Sequence, residues 1–183
     1  MKRTRITTAA FAVLAIATLS FAAKNPIVGG KEMFPNKNII QNAVNSADHT
    51  TLVAAVKAAG LVETLEGDGP FTVFAPTNAA FQKLPSGTVD TLLKPENKAT
   101  LTKVLTYHVV AGRLSSMDLK KQIKAGNGTA MLKTVSGGTL WAMMQGSDIA
   151  LKDEKGDVAM ITQANVFQSN GVIHVIDTVV LPQ

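Results

Sequence analysis

GPFTVFAPTNAAF, residues 69–81, changes its period in the middle. Phe71 to Ala75 is an apolar run of the length and composition of a strand. Pro76 ends it, because proline has no N–H to give to a ladder. Ala80, Phe81 and Leu84 then recur at helical spacing. Thr77 stands where an N-cap belongs, with a hydroxyl able to accept from the amides of the first turn. A polar pair at the end of a strand can also form a catalytic or anion-binding corner. The structural reading is favoured here: Thr77 caps the helix, and Asn78 or Thr77 bonds to nearby backbone or to His108, fixing how strand and helix meet.

Upstream of this corner the chain reads as helical. Residues 23–36, with two prolines and a Gly-Gly, read as an irregular lead-in. Ile39, Ile40, Ala43 and Val44 then share one helix face. Asp48 or Thr50 can cap a second helix, with Leu52, Val53 and Val56 inward and Gly60 as its stop. Residues 61–66 add a turn, and GDGP (67–70) is a turn cluster. Downstream come short helices at Thr88–Leu93 and after Pro95, the latter burying Leu101, Val104 and Leu105.

The period then shortens. YHVV (107–110) reads as a strand, and Ser115 or Ser116 caps a helix through Ile123. From Thr129 strands dominate: TAMLKTV, TLWAMMQ, DIALKD, VAMIT, ANVFQ and VIHVIDTVVL, with turns at SGG (136–138) and EKGD (154–157). The last run is apolar on both sides, as a strand covered on both faces would be. Helices followed by mainly antiparallel strands predict an α+β fold.

The N-terminus reads as an export signal. Lys2, Arg3 and Arg5 precede an apolar stretch from Ile6 to Leu19, and SFA (20–22) offers small residues for cleavage after Ala22. The stretch is too short and too rich in Ala and Thr to span a bilayer comfortably, and no later one could. Without those three basic residues, fifteen remain against thirteen acidic ones, a net charge of +2. Nucleic acid is therefore not an expected partner, since neutralising phosphates requires a basic face. Lys120, Lys121 and Lys124 read as a solvated helix face. The absence of cysteine excludes disulfides, thiol nucleophiles, thiolate metal sites and a lipid-anchored cysteine. The expected location is the periplasm or the exterior.

Three segments together resemble one known family. FTVFAPTNAAF (71–81) looks like the first signature of the fasciclin (FAS1, beta-Ig-H3) domain, YHVV (107–110) its Tyr-His motif, and NGVIHVIDTVVLP (170–182) its second signature. NPIVGG and MFPNKNI resemble the lead-in of small secreted single-domain bacterial members. The resemblance implies a signal peptide at 1–22, a lead-in at 23–36 and one fasciclin domain at 37–183, a wedge of mainly antiparallel strands with a helical cluster packed on it. It implies cell adhesion or surface association, with a cell-surface or matrix protein or a carbohydrate as partner, and no shared enzyme activity or cofactor. In animal relatives the neighbourhood of the Tyr-His motif is linked to integrin binding. The corresponding surface here is Tyr107, His108, Val109 and Val110. A single domain lacks the avidity of tandem copies, and the sequence sets no oligomeric state.

Other chemistries find little footing. No G-x-S-x-G occurs, and His174 and Asp177 fall on opposite faces of the last strand, which makes them poor triad partners. His49, His108 and His174 show no metal-ligand spacing, although His108 and His174 could meet on neighbouring strands. Each reads better as a part-buried histidine satisfied by hydrogen bonds. Asp153, Glu154 and Asp157 lack calcium-loop spacing and read as a solvated hairpin. AGNGT (125–129) lacks the P-loop lysine. Met131, Trp141, Met143, Met144 and Met160 read first as core. The alternative function is a small-molecule or metal carrier that uses this Met/Trp surface or the histidines.

Overall fold

The computed structural model describes residues 25–183, so the expected signal segment at 1–22 lies outside the described residues. The lead-in is more regular than expected. Strands β1 (Ile27–Val28) and β2 (Lys31–Glu32) form a hairpin that drops Val28 and Met33 into the core. The helical cluster follows: α1 (Ile39–Ala43), a 3₁₀ turn (Ala47–His49), α2 (Thr50–Ala59) and α3 (Val62–Glu66). Asn38 and Gln41 form a capping box at the start of α1. Gly60 closes α2 at φ 72°, a left-handed conformation that glycine adopts without steric cost.

The opening stretch becomes β3 (Phe71–Pro76) and α4 (Asn78–Gln82). Next come α5 (Thr88–Leu92), α6 (Lys98–Tyr107), β4 (Val109–Ala111) and α7 (Ser116–Ala125), the last opened by a Ser115–Asp118 capping box. Lys120, Lys121 and Lys124 lie exposed along α7, as expected. The strand series is β5 (Thr129–Lys133), β6 (Thr139–Gln145), β7 (Asp148–Lys152), β8 (Val158–Gln168) and β9 (Gly171–Ile176). VAMIT and ANVFQ, read as two strands, are one. β8 absorbs the interruption as register irregularities around Gln163–Val166, with Asn165 at φ 63°.

The seven-stranded sheet has the order β4-β3-β9-β8-β7-β6-β5. All its neighbours are antiparallel except β3 and β9, which run parallel and match residue for residue from Phe71↔Gly171 to Pro76↔Ile176. The two strands of this sheet furthest apart in sequence are thus direct neighbours. Every residue of β9 is buried, as its two-sided apolar run requires. One core lies between the helical cluster and one face of the sheet. A second is closed by α7 and packs Phe74, Tyr107, Leu119, Ile123, Leu140 and Leu151. The sheet's edges meet again at a single bridge, Val110–Thr134, with Val135 N–H donating to the Val109 carbonyl at 2.8 Å.

Candidate functional site

Thr77 is the N-cap of α4, its Oγ1 accepting from Ala80 N–H at 3.2 Å. Asn78 reaches the other way. Its Oδ1 accepts from Thr51 N–H at 3.0 Å and from the Thr50 hydroxyl at 3.2 Å, and its Nδ2 donates to the Ala47 carbonyl at 2.9 Å. α2 has no cap from its own preceding residue, so Asn78 supplies one from a distant part of the chain. The corner therefore joins β3, α4 and α2. Neither Thr77 nor Asn78 bonds to His108, contrary to one branch of the sequence reading. Both side chains are half-buried at the rim of the core.

His108 belongs to a different clasp. The expected strand at 107–110 begins only at Val109, because α6 runs through Tyr107 and His108 is its C-cap with helical dihedrals. That geometry lets the ring bond back to the Val104 carbonyl from Nδ1 at 2.8 Å. Val180 N–H donates to Nε2 at 3.2 Å, so Nε2 is the acceptor and Nδ1 carries the proton. Burial pushes this imidazole down from 6.5 to about 4.

Tyr107 is also buried. Its hydroxyl donates to the Thr139 carbonyl at 2.7 Å and accepts from Glu154 N–H at 3.1 Å. Burial raises its pKa to about 12. The turn after β7, read from sequence as a solvated hairpin, turns out to be an anchor. Buried Asp153 accepts from Lys155 and Asp157 N–H through Oδ1 and from Leu181 N–H through Oδ2. Glu154 accepts from Thr139 and Gln183 N–H. Tyr107, His108, Asp153 and Glu154 thus pin the C-terminal tail to α6 and to the β6–β7 end of the sheet. Sequence reasoning missed the role of this acidic turn. The signal available was the apolar TVVLP tail, which needed partners for its backbone amides.

The four residues expected to present a contact surface, Tyr107, His108, Val109 and Val110, are all buried, at 0, 2, 5 and 5% exposure. Their side chains fill the core, and the surface beside them is formed by their neighbours. A groove of about 400 Å³ lies between the edges of β4 and β5, lined by Val110, Ala111, Gln122, Met131, Lys133 and Val135. Met131 is 72% exposed and Val135 50%.

The methionine and tryptophan set, by contrast, is not core. Met131 and Met144 are exposed, and Trp141, Met143 and Met160 are half-buried. Register explains Met131, Trp141 and Met143: Met131, Trp141 and Lys152 stand opposite one another across β5, β6 and β7, on the face away from Leu132, Leu140 and Leu151. Trp141 and Met143 share that face, while Met144 belongs to the other, as alternation predicts.

His108 and His174 do not meet. They lie on either side of β3, and His174 is held by the Leu114 carbonyl at Nε2 and Asn165 N–H at Nδ1. Burial lowers its pKa as well. Among the described residues no three His, Asp or Glu side chains gather as a metal site, and no helix is long and apolar enough to cross a membrane.

Comparison with known proteins gives a consistent answer. The profile described as the fasciclin domain matches residues 47–182. Protein sll1483 of Synechocystis is 42% identical over 173 residues, covering 92% of this chain and 87% of that one. The cell surface glycolipoprotein MPB83 of Mycobacterium bovis is 33% identical over 192 residues, covering 97% of this chain and 78% of that one. Among solved structures, a FAS1 domain pair from the insect cell adhesion molecule fasciclin I superposes with a TM-score of 0.71 at 19% identity, covering 80% of this chain and 51% of that one.

Proposed function

The chain belongs to the fasciclin domain family, and from that premise we propose that it is an exported, non-enzymatic interaction module that attaches to a cell-surface or matrix protein. The observation that carries this reading is the groove between β4 and β5. Its walls are the two edges of the sheet, which touch at one bridge only. Edge strands offer main-chain N–H and C=O groups to an added extended segment, and exposed apolar side chains beside them supply pockets for alternate residues. That chemistry favours a protein partner over a carbohydrate. The buried Tyr107–Val110 motif then acts from behind, holding β4 in position, while Ala111, Met131, Lys133 and Val135 make the contact. Export rests on the basic and apolar N-terminal segment and on likeness to a relative named as a cell-surface protein. The proposal covers the periplasm and the exterior alike.

The test compares retention of residues 23–183 on envelopes of the source cells with retention of a Met131→Glu/Val135→Glu double variant. Both positions are exposed, so the melting temperature should hold within a few degrees while retention drops at least tenfold. Equal retention of both proteins would remove the groove from the mechanism. Native mass spectrometry of chain purified from its own host then identifies what travels with it.

A further inference from the structure

Helix α7 divides its residues by face. Leu119 and Ile123, four apart, are buried in the second core, and half-buried Ser116 bonds to Asn165. Met117, Lys120, Lys121 and Lys124 follow the i, i+3, i+4, i+7 spacing of a single outer stripe, and all four are exposed. We propose that this stripe seats the protein on a bilayer surface that contains anionic phospholipid. Two observations carry the proposal. The first is charge. Residues 23–183 hold fifteen basic and thirteen acidic side chains. α7 holds three of the former and, in Asp118, one of the latter, which leaves twelve against twelve elsewhere. The excess positive charge of residues 23–183 thus lies on one helix, where it can act as a docking field for an anionic surface. The second observation is Met117, at 78% the most exposed large apolar side chain among the described residues.

The lysines are free to meet an anion. The only ion pair among the described residues is Lys83–Asp177, so none of the three is matched by a carboxylate. Lys120 Nζ makes one long bond, donating to the Ser147 carbonyl at 3.4 Å. Two carboxylates stand near the stripe. Asp118 is turned back onto Ser115, accepting from its N–H at 2.9 Å and from its hydroxyl at 2.6 Å. Asp148 follows Ser147 at the start of β7 and is exposed. Against three lysines they reduce the local excess without cancelling it. The apolar knob favours lipid over other polyanions. A bilayer places phosphates above hydrocarbon, so the lysines can hold headgroups while Met117 passes beyond them. Met144, 39% exposed on the α7 side of β6, adds apolar surface. A soluble polyanion would match the lysines and leave Met117 in water. Of α7, Gln122 alone lines the β4–β5 groove, so the two surfaces are separate and neither reading needs the other.

Protein-free vesicles test the idea apart from any protein partner. Residues 23–183 are sedimented with vesicles of phosphatidylcholine alone and with vesicles containing about one-third phosphatidylglycerol, at low and at high salt. Partitioning should favour the anionic vesicles and fall as salt screens the charges. The chain has no cysteine, so Met117→Cys gives a unique position for an environment-sensitive dye. Its emission should shift to the blue on anionic vesicles, while the same dye at Val44→Cys, in the helical cluster, should not respond. A lysine near an anionic surface is worth about fivefold in partitioning. The Lys120→Gln/Lys121→Gln/Lys124→Gln variant should therefore lose on the order of a hundredfold, and Lys121→Glu alone at least about fivefold. All three positions are exposed, and circular dichroism checks that both variants stay folded. Absence of partitioning, equal partitioning onto neutral and anionic vesicles, an unshifted dye at position 117, or full partitioning of the triple variant would each overturn the proposal. Capture by dextran sulfate without capture by the vesicles would assign the stripe to a soluble acidic polymer and overturn the lipid reading.

Discussion

His108 should make this protein sensitive to pH in a range where carboxylates are still ionised. The folded chain holds its imidazole neutral, with the pKa pushed from 6.5 to about 4 by burial. In the unfolded chain the ring regains its ordinary affinity for protons. Between those two values the unfolded state holds more protons than the folded one, so stability rises with pH there and is lost as pH falls. Stability is fully present above about pH 7 and declines through 6.5 toward 4. From pH 7 to pH 5 the unfolding free energy should drop by about 2 kcal/mol through this ring alone. His49 and His174, whose pKa values are also lowered by burial, act in the same direction. The assay is urea unfolding by circular dichroism at half-unit steps of pH, with ring nitrogen NMR to follow protonation. His108→Gln should cost stability at pH 7 and flatten the slope by nearly one proton. A folded-state pKa near 6.5 for His108, or an unchanged slope in the variant, would falsify the account.

Three further outcomes follow from the same contacts. Thr77→Ala removes the cap of α4 and should cost about 1 kcal/mol, read as a lower melting temperature with retention on envelopes unchanged. Asn78→Ala breaks three bonds between the corner and the start of α2, and should cost about 1–3 kcal/mol, with faster amide exchange in α2. Gly138→Ala would place a Cβ 2.7 Å from the Tyr107 ring, so it should cost about 1–3 kcal/mol and raise the fluorescence anisotropy change on tail release, measured with a label on Gln183.

The helices and strands of this chain were largely legible, because local chemistry sets them. Ser115 and Asp118 announce α7, Gly60 ends α2, and Thr77 begins α4 after Pro76 breaks the strand. What escaped the sequence is what depends on pairing across distance. Periodicity places Met131 and Trp141 in strands but does not say which face is covered, and here the covered face belongs to Leu132 and Leu140. Tyr107 and His108 look like strand residues by type, yet the helix before them has no stop signal and runs on. Asp153 looks like a turn residue, and it is one, but its carboxylate also serves Leu181, twenty-eight positions away.

The placement of the signatures has a physical reason. β3 and β9 are parallel neighbours inside the sheet, next to its β4 edge, and a parallel pair needs a long crossover between its strands. Here that crossover, residues 77–170, is more than half of the described residues. Any slip between the two strands would misplace the corner after β3 and the tail after β9 together. Thr77 N–H donates to the Ile176 carbonyl at 3.3 Å, which joins the corner to the end of β9. His108 holds Val180 a few residues later. The three sequence segments that resemble family signatures are therefore parts of one register lock, and their buried side chains are committed to it. The contact surface proposed above lies where nothing is so constrained. At the outer edges of β4 and β5, Met131, Lys133 and Val135 can change without disturbing the lock.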